Sequence, residues 1–100
     1  MSELALRVYE KLKKVPKGRV TTYAELARAV GIENGQRAIG NIMNKNPTPI
    51  TIPCHRVVRS DGSVGGYAFG EAKKRLLLSA EGVIIKDGHI TNMKDTVYYF

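Results

Sequence analysis

Residues 22–45 constrain the fold more than any other stretch of the chain. Thr22-Tyr23-Ala24-Glu25 reads as a capping box, with Thr22 as N-cap and Glu25 three residues on. The helix it opens carries Tyr23, Leu26, Ala27 and Val30 on one face, and Gly31 closes it. Ile32-Glu33-Asn34-Gly35 is a short turn into a second helix from Gln36 to about Lys45. Two short helices joined by a tight glycine-containing turn make a helix-turn-helix. Ala38, Ile39, Ile42 and Met43 form the apolar side of the second helix, and Arg37, Gly40, Asn41, Asn44 and Lys45 the other. A helix that reads the major groove presents several long polar side chains to base edges. This face is short-chained apart from Arg37 and Lys45, which suits a minor-groove approach with Arg37 inserted. A plain helical hairpin with a polar outer face has the same pattern.

On the N-terminal side, Ser2 caps a helix of about a dozen residues whose buried stripe is Leu4, Ala5, Val8, Tyr9 and Leu12. Pro16-Lys17-Gly18 ends it. Lys11, Lys13, Lys14, Lys17 and Arg19 form a basic cluster here, for phosphates or for solvent. Beyond the helix pair, Asn46-Pro47-Thr48-Pro49 is extended or turned, because each proline disfavours helix in the residue before it. Ile50-Thr51-Ile52 is a short β-prone run into Pro53-Cys54-His55-Arg56-Val57-Val58. A turn at 60–63 and a glycine-rich loop at 64–70 precede a last helix, Glu71 to Ala80. Its stripe reads as Ala72, Leu76, Leu77 and Ala80 inward, with Lys73, Lys74 and Arg75 outward. Residues 83–90 form a β-hairpin with an Asp87-Gly88 turn, and His89 is a turn residue without chemistry. The pattern does not place the tail to Phe100.

A length of 100 residues suits one domain. The single cysteine excludes an internal disulfide, and one Cys with two His cannot make a standard zinc site. No signal peptide or membrane span is legible, so the expectation is a soluble cytoplasmic protein without membrane partners. The net charge of +7 points to a polyanionic partner, nucleic acid being the commonest.

Cys54 is followed directly by His55 and Arg56. A thiol is a useful nucleophile only as its thiolate, and a nearby base or positive charge makes the thiolate accessible. A lone cysteine is equally at home as a small buried hydrophobe. On an extended segment Cys54 and His55 would point to opposite sides, which argues for a bridging water rather than a direct bond.

Asn46-Pro47-Thr48-Pro49-Ile50, Pro53-Cys54-His55-Arg56-Val57-Val58, Val64-Gly65-Gly66-Tyr67 and Leu77-Leu78-Ser79-Ala80-Glu81-Gly82, in this order, closely resemble the DNA-binding domain of the O6-alkylguanine-DNA alkyltransferases. The resemblance runs from about Leu4 to Gly82. It implies a mainly α (α+β), winged-helix-like domain: a helix-turn-helix over about 22–45, an active-site segment over 46–58, and a C-terminal hairpin and tail over 83–100. It also implies that Cys54 accepts the alkyl group, that His55 activates it through a water, and that Glu81 orients His55. By the same resemblance Tyr23 gives a proton to the departing guanine, Arg37 fills the space of the flipped base, and Asn46 is a hinge. Pro49 and Tyr67 are pocket walls. The main chains of Cys54, Val57 and Ala68 read the guanine edge, with Ala68 where serine is common. Gly40, Asn41 and Lys45 lie on the expected DNA face.

The partner so implied is double-stranded DNA carrying alkylated guanine, bound in the minor groove without sequence preference by a monomer that needs no cofactor. Many members of the family carry another domain before this one. The single-domain layout and the segment after Gly82 resemble the alkyltransferase-like proteins, which usually have tryptophan in place of the cysteine and sense damage without transfer. That sensor is the alternative reading, and a basic regulator with a structural cysteine is a third. Cys54 with His55 and Glu81 favours transfer.

Overall fold

The computed structural model describes residues 2–48 and 50–100. In chain order the elements are α1 (Glu3–Leu12), β1 (Thr21–Thr22), α2 (Tyr23–Ala29), α3 (Gln36–Asn44), a 3-10 turn (Cys54–Arg56), β2 (Val57–Val58), α4 (Glu71–Ala80), β3 (Ile85–Lys86), β4 (His89–Ile90) and α5 (Met93–Thr96). The architecture is the expected α+β arrangement of helices with two small sheets. No helix among the described residues is long and apolar enough to cross a membrane.

Local chemistry sets the helix boundaries. Ser2 Oγ accepts from the Ala5 N–H at 3.0 Å, and Thr22 Oγ1 from the Glu25 N–H at 3.0 Å. The second half of the expected capping box does not form, because Glu25 pairs with Arg28 at 3.0 Å. α1 buries Ala5, Val8, Tyr9 and Leu12 against the helix pair. Its Tyr9 hydroxyl donates to Ile42 O at 2.7 Å, and Arg7 donates to Val30 O at 2.9 Å. The turn between α2 and α3 requires its glycine. A Cβ on Gly35 would stand 2.6 Å from Ile32 Cγ2 and 3.2 Å from the Ala27 Cβ.

β1 and β2 pair in parallel, Thr21 with Val57 and Thr22 with Val58. The tail supplies a neighbour on the other side. Val97 bridges Val20, the Tyr98 N–H donates to Val20 O at 2.7 Å, and Arg19 donates to Thr96 O and Val97 O at 3.1 and 2.7 Å. Arg19 therefore anchors backbone and does not belong to a free basic cluster. In the hairpin, Ile85 faces Ile90 across Asp87 and Gly88, both at positive φ as a type I′ turn requires.

Two sequence expectations are corrected. Ile50–Ile52 is not a strand. Ile50 sits at φ 77°, and Ile52 O is taken by the Asn46 side chain and the Cys54 N–H. The inward face of α4 is Lys74 and Leu78, while Ala72, Leu76 and Ala80 are exposed. Three consecutive leucines at 76–78 are compatible with several helix phases, and packing against Val58, Val64 and Val83 selects Leu78.

One apolar cluster joins α1, α2, α3 and the 3-10 turn; the other gathers Val20, Val58, Val64, Leu78, Val83, Ile90 and Val97. Each fully buried Val, Leu or Ile contributes roughly 1.5–3 kcal/mol. Cys54 and Val57 belong to the first cluster and Val58 to the second, so the segment from Cys54 to Val58 crosses the seam.

Gly40 lies mid-helix with nothing within 4 Å of where its Cβ would stand. No contact within the chain requires a glycine there. Gly40→Ala should stabilise the protein by about 0.5–1 kcal/mol. Urea unfolding of the two proteins checks this, and equal or lower stability of the variant contradicts it.

Candidate active site

A cavity of about 610 Å³ opens between α2, α3 and the glycine-rich loop, with Cys54 in its lining. That volume is in the range of a site for a base-sized ligand. Tyr23, Arg37, Gly40, Tyr67 and Ala68 also line it. Segments far apart in the chain bring these residues together. Tyr23 opens α2, and Arg37 and Gly40 lie on α3.

Cys54 stands on the 3-10 turn, 5% exposed. The expectation that Cys54 and His55 lie on an extended segment is corrected. Arg56 N–H donates to Pro53 O at 2.9 Å and the Val57 N–H to Cys54 O, so the chain winds through one tight turn. No hydrogen bond between Cys54 and His55 occurs among the described residues.

His55 is fully buried. Its Nε2 lies 3.0 Å from Glu81 Oε2, at the C-terminal end of α4. Arg56 grips the same carboxylate through two bonds, Nε to Oε1 at 2.9 Å and an Nη to Oε2 at 2.7 Å, and its other Nη donates to Val15 O at 2.9 Å. Burial works to raise the Glu81 carboxyl, but the bonds from Arg56 and then His55 outweigh it and hold the group below its ordinary value. An ionised Glu81 accepts only, so His55 carries its proton on Nε2. Its Nδ1 is then a bare lone pair, buried and without a partner. Burial pushes the His55 pKa below its ordinary 6.5, against the pull of Glu81. The ring is therefore neutral at pH 7, with its basic nitrogen unused.

A family model described as 6-O-methylguanine DNA methyltransferase, DNA binding domain, matches residues 3–83. The chain belongs to this family. A methylated-DNA--protein-cysteine methyltransferase of Candida glabrata is 43% identical over 95 residues, which cover 95% of this chain and 46% of that protein. The chain thus spans about half the length of the curated relatives it matches. Among solved structures, Mycobacterium tuberculosis OGT in complex with DNA superposes with a TM-score of 0.80 at 35% identity, over 82% of this chain and 50% of that one. S. pombe Atl1, in complex with damaged DNA containing O6-carboxymethylguanine, superposes with a TM-score of 0.88 at 29% identity, over 100% of this chain and 98% of that one.

Asn46, Val57, Asn41 and Lys45, also singled out from the methyltransferase pattern, do not line this cavity. Asn46 bridges the loop after α3, donating to Ile52 O at 2.7 Å and accepting from the Thr48 N–H at 3.0 Å. The Val57 side chain is fully buried, which leaves only its main chain for a ligand. Asn41 and Lys45 line a different groove, with Ser2, Ala5, Tyr9 and Ile42. Pro49 lies outside the described residues. Burial pushes the Tyr23 phenol above its ordinary 10.0, Arg59 pulls it part of the way back, and Cys54 adds to the rise. Tyr23 therefore keeps its proton at neutral pH.

Sequence reasoning missed three residues. Arg56 holds Glu81, and its place beside His55 was the available signal. Arg59 lines the cavity, and no pattern distinguished it from the other surface cations. Lys74 is buried behind the cavity wall, and the four-residue step back from Leu78 was its only mark.

The folded protein takes up a proton at His55 less readily than the unfolded chain does. As the pH falls below about 6.5 the unfolded chain is protonated first and folding stability drops; above that it is fully retained. His55→Gln should lack this loss. Urea unfolding from about pH 8 to pH 5 checks it, with exposed His89 common to both proteins. Identical slopes would exclude His55 as the cause.

Proposed function

We propose that this chain repairs alkylated DNA by taking the alkyl group of O6-alkylguanine, methyl first of all, onto Cys54. The observation that carries this reading is His55, neutral and buried, with Nε2 on Glu81 and Nδ1 without a partner among the described residues, next in the chain to the thiol that lines the cavity. Through one water, Nδ1 takes the Cys54 proton, and Glu81 steadies the imidazolium. The thiolate attacks the alkyl carbon. The S–C bond forms as the O6–C bond breaks, and the electron pair passes into the guanine ring. Tyr23, still protonated, supplies the proton that neutralises the departing base. The thioether is not hydrolysed, so each molecule acts once.

A base in a duplex cannot reach Cys54 unless it leaves the stack. Arg37 is exposed at the cavity mouth on α3 and occupies the space the base vacates. The open surface at Gly40 lets the α3 backbone approach a minor groove, and the charge of +7 holds phosphates without reading sequence. Residues 1–100 act in this reading as one binding and transfer unit, as a monomer. Transfer predicts that Cys54 gains one methyl group per molecule from duplex O6-methylguanine, read by intact-protein mass, and that Cys54→Ser gains none. An unchanged mass in excess substrate overturns it.

A second reading is a damage sensor that binds without transfer. The superposition on Atl1 over the whole chain, tail included, favours it. In that case the same DNA is bound and the mass stays constant.

The role of Arg37 has its own test. Arg37→Ala should slow transfer on the order of tenfold in duplex, where extrusion costs a few kcal/mol, and far less in single strands. Equal slowing on both substrates would make Arg37 a phosphate contact only.

A further inference from the structure

Lys74 has no solvent exposure and is the largest side chain so buried among the described residues. Its Nζ donates to Gly66 O at 3.0 Å and stands 5.9 Å from the centroid of the Tyr23 ring. No carboxylate pairs with it among the described residues. A Cβ on Gly65 would lie 3.7 Å from Lys74 Nζ and 3.6 Å from Arg59 Nε, so two cations flank one glycine of the cavity loop. A buried ammonium without a counter-charge is costly, and one protein carboxylate nearby would remove the cost. Glu71, on the same helix, acts on Lys74 without forming an ion pair, yet the chain keeps a lysine where a methionine or leucine would pack.

We propose that Lys74 is a positioning residue of the transfer site: its ammonium is the positive charge that faces the Cys54 thiolate, and its bond to Gly66 ties the cavity wall to Tyr23. The proposal rests on Cys54 being the nucleophile of the proposed transfer. It gives the thiolate a counter-charge that His55 alone does not supply, since His55 becomes cationic only after taking the proton.

The neighbouring charges fit this assignment. Burial brings the Lys74 pKa down from 10.5 to about 8. Among its neighbours the negative charge of Cys54 favours the ammonium, Arg59 opposes it, and Glu71 favours it. The groups facing Lys74 are Tyr23 from α2, Cys54 and His55 from the 3-10 turn, Arg59 beyond β2 and Glu71 on its own helix. Tyr23 titrates above 10.0 and His55 below 6.5. Of Lys74, Tyr23 and His55, Lys74 is therefore the group that changes charge between about pH 7 and pH 9.5.

Alkylation of Cys54 in the DNA-free protein by iodoacetate and by iodoacetamide tests the proposal. In both reactions the thiolate forms an S–C bond and expels iodide. Both consume the same thiolate, so the ratio of their rates cancels its amount and reads the charge around the sulfur. The anionic reagent gains from a cation and the neutral one does not. The wild-type ratio should fall about threefold or more from pH 7 to pH 9.5, as Lys74 discharges. In Lys74→Met the ratio should be low and flat. A purely structural lysine would alter both rates together and leave the ratio alone. A flat wild-type ratio, a Lys74→Met ratio that still falls as the wild type does, or a Cys54 that reacts with neither reagent overturns the proposal. The wild-type arm needs no variant to fold. The assay uses no DNA, so its failure leaves methyl transfer standing, and failure of methyl transfer is read separately from the mass of the protein.

Discussion

The Glu81 carboxylate holds the 3-10 turn of Cys54 in place. A single 3-10 turn has too few hydrogen bonds to fix its own orientation. This one is clamped from outside by the end of α4, where one carboxylate receives His55 and, from Arg56, Nε and one Nη. Arg56 also reaches Val15 O, at the end of α1, and a Cβ on Gly18 would come within 3.2 Å of Glu81 O. Three distant parts of the chain therefore meet around Arg56 and Glu81. Because Arg56 carries the permanent charge, Glu81 remains ionised whether or not His55 holds a proton. The histidine can change state without the clamp releasing.

The cavity shows a division between its two walls. α2 and α3 supply Tyr23, Arg37 and Gly40 from a unit set by capping, apolar stripes and one obligatory glycine. The opposite wall, Gly66 to Ala68, has little regular structure of its own. It is held from beneath by Lys74, a buried polar contact where an apolar one would be cheaper.

Much of this was legible in the residues. Periodicity located α1, α2 and α3 to within a residue or two, and the Asp87-Gly88 turn announced the hairpin. Cys54, His55 and Glu81 were singled out before their geometry was known, though Glu81 rested on a resemblance and not on its local pattern. What stayed hidden has a common cause. The inward turn of Lys74, the anchoring of Arg19 on tail carbonyls and the pairing of Val97 with Val20 are all settled by partners tens of residues away. Local patterning treats a lysine or arginine as a surface residue unless something distant receives it. The 3-10 turn escaped for a related reason: Ile52 O is taken by the Asn46 side chain and the Cys54 N–H, so the run before Cys54 is held in a local turn.

The pairing of Val20 with the tail bears on how the protein assembles. The helix pair is built from sequence neighbours, with short loops to close. The sheet beside it brings residues 20–22 together with 57–58 on one side and 97–98 on the other. Such non-local pairing pays its loop-closure entropy before any contact rewards it, and it dominates folding time. The helix pair can form early, whereas the sheet that receives β2 is completed late. During that interval the 3-10 turn of Cys54 packs on the helices but lacks the paired strand that follows it.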